Sequence, residues 1–145
     1  MQAITIQQPY AHLIALPDDD NRAKRVENRT WPTGYRGPLA IHAGKGVNYL
    51  RHGDKERYPN MAFGAIVAVA TLAECFRMDD IAQSASALRR FPWLKGHEHV
   101  EGPFCWVLTE VRALKTPYFC AGKQGLWQPS REMGEAINGH PHDAR

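Results

Sequence analysis

The sequence predicts an α+β, mostly β domain in which about five or six strands form a barrel or a curved mixed sheet flanked by short helices. One observation is the run Gly64 to Cys75 (GAIVAVATLAEC), nearly all apolar and β-rich, as a central strand covered on both faces requires. A second is that other short strand-like stretches are spread along the chain with only brief helical signals between them, which argues against a doubly wound α/β layer. A third is size and composition. The 145 residues, 43% hydrophobic and 23% charged, suit one folded domain and lie outside the disordered regime.

Ala3 to Ile6 is short, β-branched and alternating, and predicts the first strand. Pro9 then suits the first turn of a helix over Pro9 to Ala15, because the missing N–H would lack an intrahelical partner there. Pro17 to Arg22 (PDDDNR) reads as a charged loop, and Lys24 to Trp31 (KRVENRTW) alternates as a second strand. After the punctuation of Pro32 to Gly37 (PTGYRG), Pro38 to Ala43 (PLAIHA) predicts a third strand, followed by Gly44, Lys45 and a polar, partly helical segment to Tyr58.

Beyond the central strand, Asp79 and Asp80 suit a helix N-terminus, and Ile81, Ala85 and Leu88 recur about once per turn, so a helix is expected over Met78 to Arg90. Phe104 to Leu114 (FCWVLTEVRAL) and Leu126 to Gln128 read as strands, and Ser130 can cap a last helix over Arg131 to Ile137. The domain is expected to span residues 1–138, with 139–145 a polar, frayed tail.

The net charge of +3 is compatible with a polyanionic partner but does not demand one. Cys75, Cys105 and Cys120 are odd in number and form no CxxC pair, which points to a reducing compartment. The N-terminus has no basic n-region or cleavage site, and no apolar run approaches the roughly 18 residues of a membrane span. The expected location is therefore the cytoplasm, or the nucleus in a cell that has one, with no membrane partner. His97 and His99 alternate beside Glu98 and Glu101, and His140 and His142 lie in the tail, but the cysteines are far from both pairs. No metal site and no cofactor are expected.

Three blocks resemble the ASCH family, of the PUA-like superfamily, one member domain of which ends the transcriptional coactivator activating signal cointegrator 1. They are Ile6 to Ala15 (IQQPYAHLIA), Lys24 to Ala43 (KRVENRTWPTGYRGPLAIHA), and Gly64 to Cys75 together with Gly102 to Gln128, which ends in GKQGLWQ. The middle block is the most specific, matching the family's KxxExR signature followed by an aromatic, an RG turn and an apolar strand. The family usually has glycine two positions before the lysine; here Arg22 stands there after the acidic insertion PDDDN. The resemblance implies a PUA-like barrel with a polar cleft between the first helix and the signature strand, and RNA, single-stranded or duplex DNA, or a modified nucleoside as ligand.

Lys24, Glu27 and Arg29 place a cation, an anion and a planar guanidinium within six residues, able to clamp phosphate and to accept from base amino groups. The alternative is a solvated ion pair on an edge strand. Pro9 and Tyr10 open a helix whose free N–H groups suit an anion, and Tyr10 can stack a base or simply fill the core. Arg36 and Lys45 can contact phosphate or stand as surface charges. Trp31 and Trp127 can wall the cleft or pack, and Gly122 and Gly125 can bring backbone N–H groups to a ligand or merely turn a hairpin.

A binding module is the leading functional expectation, with the protein taken as a monomer. The enzymatic alternative is a metal-independent hydrolase, similar to the small ASCH amidohydrolases of N4-acetylcytidine or to an ASCH-type ribonuclease. Lys24 matches the amidohydrolase lysine, but Glu27 stands where their threonine would be, which removes the hydroxyl nucleophile. In that alternative Glu27 activates water, Lys24 stabilises charge and Glu74 supplies a second carboxylate. A protein-interaction module is the third reading.

Overall fold

A computed structural model describes residues 1–139 of the chain. The elements are β1 (Gln2–Ile6), α1 (Tyr10–Ala15), β2 (Val26–Arg29), β3 (Gly37–Ala43), α2 (Asp54–Arg57), β4 (Ala65–Arg77), α3 (Met78–Ile81), α4 (Ala85–Arg90), a 3-10 turn (Pro92–Leu94), β5 (Phe104–Phe119), β6 (Leu126–Trp127) and α5 (Arg131–Gly139). The expected class holds: six strands and short helices, in the strand order β2-β5-β4-β3-β1-β6. Strand β1 runs parallel to β3, with Ile4 opposite Ile41, and antiparallel to β6, with Ala3 opposite Trp127. Strand β2 runs antiparallel to β5, with Glu27 opposite Trp106. His140 and His142 of the expected tail lie outside the described residues.

The residues gather into two compact units, each discontinuous in sequence. The first holds residues 1–24, 38–71 and the described residues from 110 onward, and the second residues 25–37 and 72–109, so β4 and β5 each pass from one unit into the other along the chain. Within the first unit Ala3, Ala40, Ile66, Val69, Leu114, Trp127 and Ile137 form a buried cluster from β1, β3, β4, β5, β6 and α5. Within the second, Val26, Ile81, Phe91, Leu94, Cys105 and Val107 do the same.

Three strands depart from the sequence expectation. The signature strand is shorter than Lys24 to Trp31, because the Lys24 N–H is taken by the carbonyl of Leu13 at 3.0 Å and ladder pairing covers only Val26 to Arg29. The central strand runs on to Arg77 and β5 to Phe119, past the expected ends at Cys75 and Leu114; Phe76, in the extension of β4, packs against the buried cluster of the second unit. On β5 Glu110 takes φ 51°, a left-handed value rare for a residue with a side chain, and accepts a hydrogen bond from the Thr71 hydroxyl at 3.2 Å.

The expected helix over Met78 to Arg90 is two helices. Ser84 Oγ accepts from the Ala87 N–H at 3.1 Å, so the hydroxyl caps α4 in place of continuing α3. Ser130 caps α5 in the same way, accepting from Met133 N–H at 3.1 Å, as expected from the sequence. Replacing the cap in Ser84→Ala should lower unfolding stability by about 1 kcal/mol, read as a lower urea midpoint at unchanged slope.

Candidate functional site

In the first unit, Lys24 is only 6% exposed although it carries a charge. Its backbone is tied to α1 through Leu13, and its ammonium lies 5.8 Å from the ring centroid of Tyr10, a cation–π distance. Arg22, two positions before Lys24, is occupied by the acidic stretch that precedes it. Its Nε and guanidinium NH2 reach the Asp20 carboxylate at 3.1 and 2.9 Å, and the resulting hydrogen bonds hold the Asp20 carboxyl at about 2.

The start of α1 differs from expectation. Pro9 is the N-cap rather than a first-turn residue. The Tyr10 N–H is taken by the Gln7 carbonyl at 3.0 Å, and the His12 N–H by Gln8 Oε1 at 2.8 Å. Gln8 is fully buried, and its Nε2 donates to the Ala62 carbonyl at 2.7 Å. These partners consume donors that the sequence reading left free for an anion.

In the second unit, Glu27 is 8% exposed and its Oε2 accepts from Arg29 Nε at 2.9 Å. Strand alternation sends Val26 into the core and sets Glu27 and Arg29 on the other face. Trp31 packs edge-on against Trp106, with centroids 4.8 Å apart at 87°, and its carbonyl receives the Trp106 indole N–H at 3.4 Å.

No protein-family model matches the sequence, and no curated protein matches it. Among solved structures, the ASCH protein of Zymomonas mobilis is similar over 97% of this chain and 95% of its own, with a TM-score of 0.57 at 14% identity. Two point mutants of that protein give TM-scores of 0.56 and 0.55 at 13% and 12% identity, each over 97% of this chain and over 98% and 96% of their own. The fold is that of an ASCH domain. The likeness in fold thus agrees with the resemblance carried by the KxxExR block.

Within this ASCH fold several sequence candidates prove to be committed to the protein itself. Arg36 reaches Glu74 Oε1 at 3.2 and 2.6 Å and also donates to the carbonyls of Thr33 and Tyr35, both at 2.9 Å, so most of its donors are in use. Arg90 binds the other oxygen of Glu74 at 2.9 Å. Burial pushes the Glu74 carboxyl up, but the hydrogen bonds from Arg90, Arg36 and the Cys75 N–H outweigh it and hold the group at about 2. A carboxylate held so low is a weak base at neutral pH.

Trp127 is likewise largely buried, at 6% exposure. It meets His42 edge-on at 5.8 Å and donates from its indole N–H to Thr5 Oγ1 at 3.3 Å. His42, 3% exposed, contacts Thr5 Oγ1 through Nδ1 at 3.2 Å and donates from Nε2 to the Cys120 carbonyl at 2.8 Å. Gly122 lies against this group so closely that a Cβ would stand 2.5 Å from Thr5 Oγ1 and 2.6 Å from the His42 ring. Its lack of a side chain serves packing, while Gly125, at φ +67°, serves a turn. Lys45 is exposed and its stem covers Gly64.

The Thr5–His42 pair was invisible in sequence, since a threonine and a histidine in alternating strands carry no motif. His97 Nδ1 accepts from the His99 N–H at 3.1 Å, and the described residues contain no group of three or more potential metal ligands. Cys75, Cys105 and Cys120 are free thiols.

The Glu74 clamp has a pH signature. Because the folded carboxyl sits at about 2, below its ordinary 4.5, the clamp's contribution is present above the ordinary range and is lost as pH falls toward 2. Thermal unfolding of Glu74→Gln should start below wild type at neutral pH, and the gap should close as the pH is lowered through that window.

Proposed function

We propose that this ASCH domain binds nucleic acid or a nucleotide, whether RNA, DNA or a modified nucleoside, through Lys24, Glu27 and Arg29. The observation that carries the reading is the burial of Lys24 and Glu27, 6% and 8% exposed, where a solvated ion pair on an edge strand would leave both in water. Buried ionisable groups are uncommon and gather at functional sites, which supports reading these residues as a site. The chemistry fits a nucleotide: an ammonium for phosphate, a carboxylate that accepts from an exocyclic amino group, and a guanidinium that orients the carboxylate.

The hydrolase alternative finds less support. Glu74 is clamped at about 2, and Glu27 is already hydrogen-bonded to Arg29. Anisotropy titrations with labelled single-stranded RNA, single-stranded DNA and duplex DNA at two salt concentrations test the binding reading. Saturable, salt-weakened binding is expected for at least one of them, and Glu27→Gln should alter the preference among bases by about fivefold or more without changing the salt slope. No saturable binding to any probe would contradict the proposal. Hydrolysis of N4-acetylcytidine or RNA that disappears in Glu27→Gln would establish the enzymatic reading instead.

A further inference from the structure

The segment after β3 reads GKGVNYLRHG from Gly44 to Gly53, with cations at 45 and 51 and no carboxylate. The acid that follows, Asp54, is buried and engaged, binding Arg57 at 2.6 Å and the Arg51 N–H at 2.7 Å. The segment is fixed by the protein at several points. Gly44 N–H donates to the Ile6 carbonyl at 2.9 Å, Leu50 N–H to the Val47 carbonyl at 3.1 Å, and a Cβ on Gly46 would stand 2.5 Å from Gln7 Oε1. Held in this way, it still leaves large apolar surface in water, with Val47 54% and Tyr49 55% exposed.

Tyr49 meets Tyr10 with ring centroids 5.8 Å apart at 58°. Tyr10 already has the Lys24 ammonium at 5.8 Å and is half-buried, so it is engaged on both accounts. Tyr49 is the aromatic of this pair that faces solvent. An exposed aromatic on a fixed, basic segment matches the recurring arrangement for single strands, in which bases stack on rings while cations follow the backbone.

We infer that Tyr49 is a base-stacking residue and that Lys45 and Arg51 beside it contact phosphates, so that the ligand is a single strand of several nucleotides rather than a free nucleoside. This deepens the proposed function and rests on it. Tyr10 supports the Tyr49 ring in place of stacking a base itself, and the flanking nucleotide gives the loop its role.

The test compares an oligonucleotide of about ten nucleotides with a mononucleotide of the same base, using wild type, Tyr49→Ala, Tyr49→Phe and Lys45→Gln/Arg51→Gln. Wild type is expected to bind the oligonucleotide more tightly than the mononucleotide. Tyr49→Ala should weaken oligonucleotide binding by about tenfold or more at unchanged salt slope, while Tyr49→Phe stays near wild type. The double cation variant should reduce the salt slope by roughly one to two. Tyr49 is exposed, so unchanged circular dichroism and melting should show that these variants fold. If wild type binds the oligonucleotide and Tyr49→Ala binds it equally well, this inference is overturned and the proposed function stands. If wild type binds neither probe, both are overturned.

Discussion

An ionised side chain taken out of water must find something to answer its charge, and the K-x-x-E-x-R segment carries two such side chains below a tenth exposure. Each is answered locally. The Lys24 ammonium lies over the Tyr10 ring, and its backbone N–H is held by α1. Glu27 accepts from Arg29 on a strand whose other face, through Val26, is anchored in the core of the second unit.

Charge in this protein is a matter of commitment more than number. Arg36 and Arg90 are tied to Glu74, Arg22 to Asp20, and Arg57 to Asp54, so four guanidiniums are already matched to carboxylates. Against that background a net charge of only +3 says little about partners. What distinguishes the segment after β3 is that its cations at 45 and 51 have no acid of their own stretch to answer them, and that an exposed tyrosine sits between them.

The strands were legible because they are short, β-rich apolar runs that the fold largely buries. Ala3 to Ile6, Pro38 to Ala43 and the apolar run from Gly64 were each readable as strands, and the signature strand was found although two residues too long at either end. What stayed hidden depended on partners distant in sequence. Nothing local shows that Ser84 turns its hydroxyl back to cap a new helix, that Glu74 is shared by arginines 38 residues before and 16 after it, or that Trp127 closes on Thr5 and His42. Lys24 and Glu27 were readable as a motif, but their burial was not, because edge strands ordinarily leave charges in solvent. Tyr49 escaped because one aromatic in a polar loop has no periodicity, and only its contact with Tyr10 gives it meaning.

If the lysine is kept for a ligand, making it apolar should remove binding from a protein that still folds. The direct measurement is Lys24→Met, with urea denaturation to show that the variant unfolds cooperatively and an oligonucleotide titration to read its affinity. Binding is expected to fall by about tenfold or more while the unfolding transition stays cooperative. A folded variant that binds as tightly as wild type would contradict the account.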